Sequence, residues 1–350
     1  MKTPLLPWLF LISLLRIICG FNISSVAAQC MSDQKMLLLQ LRSSLKFDSA
    51  FSSSLPSSIS NLSNLSRIDV PFCKFTGSIP STMAQLTTLI YVDFSYNNFT
   101  GSIPHFRCSN NLNYIDLSGN GLTGSLSSKH FGGLSEIVNI DLGSNLLSGR
   151  IPPYLFSLPS LQNLVLSNNK FDGQVDEYLN NLGLGVLNLG NNQITGNIPD
   201  SFPSNCALKT LDLGRNVLEG RIPSSLINCS SLEVLNLGSN KIVDTFPCPL
   251  KNLSSLRVLV LRSNGFHGNL HCVNANHMWP NLQIIDIASN NFSGEFSSKL
   301  INWKGMIVDE DNTAQSAGNI RFEYVRLDNF YYQDKVRMFS SVIVMVIAPR

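Results

Sequence analysis

A nine-residue phrase, L-x-x-L-x-L-x-x-N, recurs along the chain and constrains the fold more than any other feature. One copy is "LRVLVLRSN" at 256–264, and its last position returns every 23 to 26 residues. Each unit is termed a coil here and is numbered from 1 to 10 by the residue at that last position, as follows: Cys73, Asn97, Asn120, Asn145, Asn169, Asn192, Asn216, Asn240, Asn264 and Asn290. Ten aligned units indicate a stacked repeat architecture.

The spacing of leucines explains why the phrase must repeat. In 256–264 the period of two places Leu259 and Leu261 on the inward face of a short strand and Val258 and Val260 on the outward face. Leu256 lies just before the strand, and we expect it to point inward as well. A single coil cannot bury its leucine face, whereas a stack of coils buries each face against the next. We therefore expect a parallel sheet with strands about 4.8 Å apart. The stacked asparagines should bond backbone groups at each bend and form a ladder.

A second phrase follows most ladder positions and turns the chain onto the opposite side. Examples are "FTGSIP" at 75–80 and 99–104 and "LEGRIP" at 218–223, where glycine permits a tight bend and proline removes a donor. The first phrase resembles the leucine-rich repeat, and the second resembles its plant-specific extracellular subclass. This resemblance implies an α/β solenoid shaped as a horseshoe, with a concave parallel sheet and a convex side of short strands and 3₁₀ turns.

Longer stretches resemble plant receptor-like proteins of the Verticillium wilt-resistance type. The segment at 202–250 and "WPNLQIIDIASNNFSGEF" at 279–296 are similar to the late repeats of that family, and 302–312 with "YYQD" at 331–334 resembles its non-repeat island. The resemblance implies an extracellular ligand-recognition module in plant defence that signals through partner receptor kinases. Relative to that family, the paired-cysteine part of the cap and the membrane region are missing, so we expect a form shortened at both ends.

These patterns give a domain map and a location. We assign 1–28 to a signal peptide, 29–54 to a partial cap helix, 55–300 to about ten repeats, 301–334 to an island-like segment and 335–350 to a divergent tail. The apolar N-terminal run could alternatively be a membrane anchor, but it is shorter than the roughly 20 residues of a spanning helix. We expect the secretory pathway, then the outer face of the plasma membrane if a longer isoform exists, otherwise the apoplast.

The cysteines and sequons fit secretion. Cys248 and Cys272 each lie eight residues after a ladder asparagine in adjacent coils, which places them at disulfide distance. Cys206 and Cys229 are offset by one position and form a second candidate pair; reduced buried thiols are the alternative. The candidate glycosylation sites in the mature chain are Asn61, Asn64, Asn98, Asn228, Asn252 and Asn291.

The sequence does not indicate nucleic-acid binding, nucleotide binding or catalysis. A net charge of +2 with 14% charged residues does not suggest a nucleic-acid partner. "GNGLTG" at 119–124 matches a nucleotide-binding glycine pattern, but it is the ladder turn around Asn120 rather than the start of a helix. No kinase, hydrolase or metalloprotease motif is present, so we expect no enzyme activity, cofactor, bound nucleotide or metal.

The outward positions of the concave strands are where a peptide, protein or glycan ligand would bind. Their middle column is largely acidic, which fits a basic or polyhydroxylated ligand. Aspartate is, however, also common at this position of the repeat for structural reasons alone. The candidate residues are Tyr91, Asp93, Tyr96, Tyr114, Asp116, Asp141, Asp212, Arg215, Arg262 and Asp286. Two rival interpretations stay open: a secreted inhibitor of microbial wall-degrading enzymes, of the polygalacturonase-inhibitor type, and a non-functional receptor fragment.

Overall fold

The computed structural model describes residues 54–175, 183–270, 272, 279–294 and 344–346. The predicted signal peptide, nearly all of the cap helix, and the island lie outside the described residues, as does most of the tail.

The concave face is one parallel sheet of eleven strands that follow each other in chain order. Each strand has three residues, and every coil pairs with the next in the same register. Residues at equivalent positions of successive coils therefore form columns across the sheet. The strands are Arg67–Asp69, Tyr91–Asp93, Tyr114–Asp116, Asn139–Asp141, Asn163–Val165, Val186–Asn188, Thr210–Asp212, Val234–Asn236, Val258–Val260, Ile284–Asp286 and Val344–Val346.

The convex side carries shorter sheets. A five-stranded sheet contains Thr76–Ser78, Asn98–Gly101, Gly121–Gly124, Leu146–Arg150 and Lys170–Asp172, and two-stranded sheets pair Thr195–Asn197 with Val217–Glu219 and His267–Asn269 with Asn291–Ser293. The 3₁₀ helices are Ser57–Asn61, Ser81–Gln85, Pro153–Ser157, Ser224–Asn228 and Cys248–Asn252, and one α-helical turn spans Ser128–Phe131. The predicted solenoid class is confirmed. In the described part of the chain, no helix could cross a membrane.

The core runs as one cluster between the two sides. Leu112, Ile115 and Leu117 of coil 3 are fully buried, as are Phe99 and Phe171 from the convex strands. Because each coil supplies the same inward pattern, every leucine packs on its equivalents in the coils before and after it. The sheet is therefore a rigid support for its outward side chains.

The ladder asparagines bond the backbone of two coils at once. The amide of Asn145 donates to the carbonyls of Leu142, Gly143 and Leu117 at 3.1, 3.1 and 2.9 Å, and its Oδ1 accepts the Leu122 N–H at 3.0 Å. Cys73 has no amide to donate, but its backbone N–H donates to Asn97 Oδ1 at 3.1 Å. Each asparagine thus satisfies groups that the bend would otherwise leave unpaired.

The residue before each ladder asparagine has left-handed backbone geometry. From coil 2 onward this geometry recurs at non-glycine residues such as Tyr96, Arg215 and Ser289, with φ of 52 to 58°. Coil 3 uses Gly119, where an added Cβ would lie only 2.8 Å from Cδ1 of Tyr96. Glycine at this position therefore lets the Tyr96 ring lie flat against the next coil.

Disulfides join adjacent coils near the second half of the array. Cys206 is bonded to Cys229 and Cys248 to Cys272, with Cα–Cα distances of 4.6 and 5.5 Å. Cys73 is also disulfide-bonded. Cys108 is exposed and is the free cysteine within the described residues.

Candidate ligand-binding surface on the concave sheet

A continuous stack of flat groups crosses the first three concave strands. The guanidinium of Arg67 lies 3.4 Å from the ring centroid of Tyr91. The ring of Tyr91 stacks on that of Tyr114, with centroids 4.4 Å apart and planes 5° from parallel. The stack forms because these three residues occupy one column, so register pairing alone places their side chains at strand spacing. Such a stack restricts the rotamers of all three side chains.

In most coils, the aspartates in the column beside this stack form hydrogen bonds to the backbone of their own coils. One carboxylate oxygen accepts the backbone N–H two residues later: Asp93 from Ser95 at 2.9 Å, Asp141 from Gly143 at 2.8 Å, and Asp286 from Ala288 at 3.2 Å. Asp116 and Asp212 make the same bond, to Ser118 and Gly214 at 2.9 and 3.0 Å. The second carboxylate oxygen of Asp286 accepts a hydrogen bond from Arg262, whereas those of Asp93 and Asp116 face tyrosine hydroxyls.

Coil 1 departs from this rule for a simple reason. The residue two positions after Asp69 is Pro71, which has no N–H to donate. Asp69 instead accepts a 2.6 Å hydrogen bond from Nη2 of Arg67. The stack on Tyr91 and the ion pair with Asp69 together fix the guanidinium, although the side chain is 41% exposed.

The tyrosine hydroxyls reach the neighbouring carboxylates. Tyr91 Oη lies 3.5 Å from Oδ2 of Asp93, and Tyr114 Oη lies 3.4 Å from Oδ2 of Asp116. Burial raises the pKa of both tyrosines, and the nearby carboxylates raise it further, so both hydroxyls remain protonated donors. Burial also raises the pKa of Asp93; hydrogen bonds from Ser95 oppose this shift, and the charge of Asp69 adds to it.

A second stack lies where the chain leaves the strands. The rings of Phe72 and Tyr96 are 4.4 Å apart and 6° from parallel. Both residues directly precede ladder positions, so they belong to a different column from Tyr91 and Tyr114. The two stacks border the acidic column on either side. The whole set is termed the aromatic–acidic surface and consists of Arg67, Asp69, Phe72, Tyr91, Asp93, Tyr96, Tyr114 and Asp116.

The structure divides the sequence-predicted site residues into separate groups. The three tyrosines lie in two columns rather than one cluster. Arg262 forms an ion pair with Asp286 at 3.1 Å in coils 9 and 10. Arg215 is exposed in coil 7, and Asp212 in that coil accepts the Asn236 amide at 2.9 Å. Coil 7 is four strand spacings, about 19 Å, from coil 3.

Three members of the surface, Arg67, Asp69 and Phe72, were not among the candidate residues chosen from the sequence, although Asp69 belongs to the acidic column. Arg67 and Phe72 lie in coil 1, whose ladder position is Cys73 rather than asparagine. The signal was nevertheless present. Arg67 occupies the column of Tyr91, and Phe72 occupies the column of Tyr96, each one coil earlier.

None of the six candidate glycosylation sites lies on a concave strand. Asn98 and Asn291 begin convex strands, and these two residues are exposed, as are Asn61, Asn64 and Asn252. Asn228 is half-buried, and its Nδ2 donates to the Phe202 carbonyl at 2.9 Å. Because a glycan attaches through this nitrogen, Asn228 is the poorest acceptor of the set.

Away from the concave sheet, a cavity of about 310 Å³ lies between Gly132, Tyr154 and Pro159. Its lining has no charged side chain. Over the described ranges, no group of three or more potential metal ligands is gathered in one place. The concave surface is accordingly the candidate site.

Comparison with known proteins identifies the repeats. Leucine-rich-repeat family profiles match residues 88–109, 110–171, 182–242 and 207–266. A search of curated protein sequences gave no significant match. The chain thus carries leucine-rich repeats, and its fold is a leucine-rich-repeat solenoid.

Several solved structures are similar to this solenoid. A TDR receptor is 30% identical with a TM-score of 0.66, and the match covers 73% of this chain and 44% of the receptor. The Arabidopsis receptor kinase HAESA, in complex with the peptide hormone IDA and the co-receptor SERK1, is 26% identical with a TM-score of 0.57 and coverages of 70% and 45%. A plant ice-binding protein is 26% identical with a TM-score of 0.59 and coverages of 77% and 90%. The chain spans less than half the length of either receptor chain.

Proposed function

We propose that this chain is an extracellular recognition module that binds a peptide or protein ligand on its concave sheet. The observation that carries the proposal is the ordered stack of Arg67, Tyr91 and Tyr114. Tyrosine and arginine are the side chains that most often anchor interfaces. Because the stack already holds them in place, a ligand would lose less side-chain entropy on binding. The similar receptor HAESA binds a peptide hormone.

The distribution of sequons supports this face as the binding surface. Glycans attached at Asn61 or Asn252 would project from the ends of 3₁₀ helices, and one at Asn98 would project from a convex strand. The concave strands would stay uncovered, so a macromolecule could approach the aromatic–acidic surface directly. A glycan on the concave side would have argued against the proposal.

We further propose that the chain acts in plant defence with a receptor-kinase partner. The sequence resemblance to the wilt-resistance type supports the immune role, and the HAESA complex with SERK1 shows that a similar solenoid assembles with a co-receptor. In this proposal the chain works outside the cell, either within a longer membrane-anchored protein or as a shortened secreted form.

The proposal is tested by peptide capture. The full chain, secreted from plant cells and immobilised, is exposed to a synthetic library of random twelve-residue peptides, and the retained peptides are quantified by mass spectrometry. The variant Tyr91→Ala/Tyr96→Ala/Tyr114→Ala should retain at least tenfold less peptide than wild type, whereas Tyr154→Phe, which lies off the concave sheet, should retain the same amount. Equal retention by the triple variant and the wild type would contradict the proposal.

A secreted enzyme inhibitor is the second candidate. Its basis is the sequence, since about ten coils suit the length of short plant repeat proteins of the polygalacturonase-inhibitor type. This candidate is separated from the first by a different assay. Inhibition of a fungal polygalacturonase by the purified chain, together with no enrichment from the peptide library, would favour it.

A further inference from the structure

Coil 1 differs from every later coil at its ladder position, where Cys73 replaces asparagine. The amide of a ladder asparagine reaches back to the coil before it, as Asn97 does when it donates to the Val70 carbonyl of coil 1 at 2.9 Å. Among the residues that the structure describes, coil 1 begins the concave sheet, so no earlier coil is there to accept such a bond. An asparagine at position 73 would therefore lack this acceptor.

Cys73 forms a covalent bond instead, and a count of the cysteines identifies its partner. Cys73 is disulfide-bonded, and the whole chain has eight cysteines. Four others form the two disulfides between later coils, and Cys108 is free. The two that remain are Cys19 and Cys30. Because Cys19 lies in the predicted signal peptide, its removal from the mature chain leaves Cys30.

The backbone on both sides of Cys73 is held in an unfavourable geometry. Phe72 and Lys74 are both left-handed, with φ of 55 and 58°. Over the described residues, no later coil has this geometry directly after its ladder asparagine. Residues other than glycine keep a left-handed backbone only where the surrounding structure fixes it. A covalent bond at the residue between Phe72 and Lys74 would supply that constraint.

We infer that Cys73 is joined to Cys30, and that this disulfide attaches the N-terminal segment to coil 1 where later coils use an asparagine amide. Each thiol loses a proton, one S–S bond forms, and the two electrons reduce the disulfide of a secretory-pathway oxidoreductase to a dithiol. The bond also holds the bend of the aromatic–acidic surface, since Phe72 precedes Cys73 and stacks on Tyr96 with ring centroids 4.4 Å apart. This pairing is independent of the proposed function.

Peptide mapping of the unmodified protein tests the pairing. The monomeric full chain, secreted from plant cells, is alkylated with iodoacetamide, deglycosylated and digested with trypsin without reductant. After removal of 1–28, trypsin places Cys30 in peptide 29–35 and Cys73 in peptide 68–74, each with a single cysteine. We expect these two peptides as one linked species that separates on reduction. The internal control is the link between peptides 242–251 and 263–299, which contain Cys248 and Cys272.

Alkylated Cys73 in peptide 68–74, or a link from that peptide to any other cysteine peptide, would overturn the pairing. This readout uses wild-type protein, so it does not depend on whether a variant folds.

Hydrogen exchange tests the anchoring role. Cys30→Ser and Cys73→Asn each remove the bond, and Cys73→Asn also supplies the residue that later coils use. We expect the amides of 68–74 to exchange about tenfold faster in both variants than in wild type, with unchanged exchange at 234–240 in coil 8. Cys108→Ser should match wild type at both places. Wild-type exchange at 68–74 in Cys73→Asn would overturn the anchoring role.

Discussion

Tyr91 and Tyr114 stack face to face across two neighbouring strands, with ring centroids 4.4 Å apart. Their strands pair so that Tyr91 lies opposite Tyr114 and Asp93 lies opposite Asp116. The relationship follows directly from the repeat, because an equal residue count between coils places like positions side by side. Arg67 continues the same column.

Replacement of Arg67 by alanine should change stability little. The variant loses an ion pair and a cation–π contact, but the side chain is 41% exposed, and such contacts contribute at most about 1 kcal/mol each. We expect the free energy of unfolding in urea to fall by less than about 2 kcal/mol. A larger loss would mean that the stack holds the first coils together rather than presenting a surface.

Replacement of a ladder asparagine should cost far more. Asn145→Ala removes four hydrogen bonds and leaves the buried Leu122 N–H without its acceptor, so the free energy of unfolding should fall by about 3 kcal/mol or more. Asn163→Ala is the matched control, because this residue is half-buried on the concave strand. Its cost should stay within about 0.5 kcal/mol. Similar costs for the two variants would contradict the ladder account.

The buried imidazole of His130 should make the fold sensitive to acid. Burial lowers its pKa, the nearby His105 lowers it further, and backbone hydrogen bonds oppose the shift. The unfolded chain therefore binds the proton more readily, so stability is complete above the unfolded pKa of about 6.5 and declines as the pH falls toward the lowered folded value.

The variant His130→Asn keeps an acceptor for the Ser127 N–H, which His130 Nδ1 accepts at 2.9 Å, but removes the titration. Its unfolding free energy should decline less than that of wild type between pH 7 and pH 5. An unchanged slope for His130→Asn would rule out this group as the source.

Loss of a disulfide should weaken the second half of the array. Cys206→Ser/Cys229→Ser opens a loop with a sequence separation of 23, for which chain entropy predicts a loss of about 3 kcal/mol. Cys108→Ser should leave the unfolding midpoint unchanged, since Cys108 is exposed and free. A midpoint for the double variant equal to that of wild type would show that the pair contributes no stability.

Much of the fold was predictable because the repeat fixes it. The period predicted the parallel concave sheet, and the phrase with glycine and proline predicted the turns on the convex side. The division of the tyrosines into two stacks was harder to foresee. It depends on the left-handed geometry at Tyr96, which follows from the bend rather than from the identity of the residue.

The partner of Arg67 was also not evident from the repeat. In most later coils the aspartate accepts the backbone N–H two residues later, as Asp93 accepts that of Ser95. In coil 1 that position is Pro71, which has no N–H, so Asp69 pairs with Arg67 instead. A period describes what coils share, so it does not report a single exception of this kind. The exception is visible only in the hydrogen bonds of coil 1 itself.

The most direct test of the central claim is the dissociation constant of one library-selected peptide, measured by titration calorimetry. The wild type and the variant Tyr91→Ala/Tyr114→Ala are compared, with Arg257→Ala outside the aromatic–acidic surface as the control. The account predicts at least tenfold weaker binding by the double variant, about 1.4 kcal/mol, and unchanged binding by the control. Equal dissociation constants for all three proteins would show that the ligand does not bind at the stacked tyrosines.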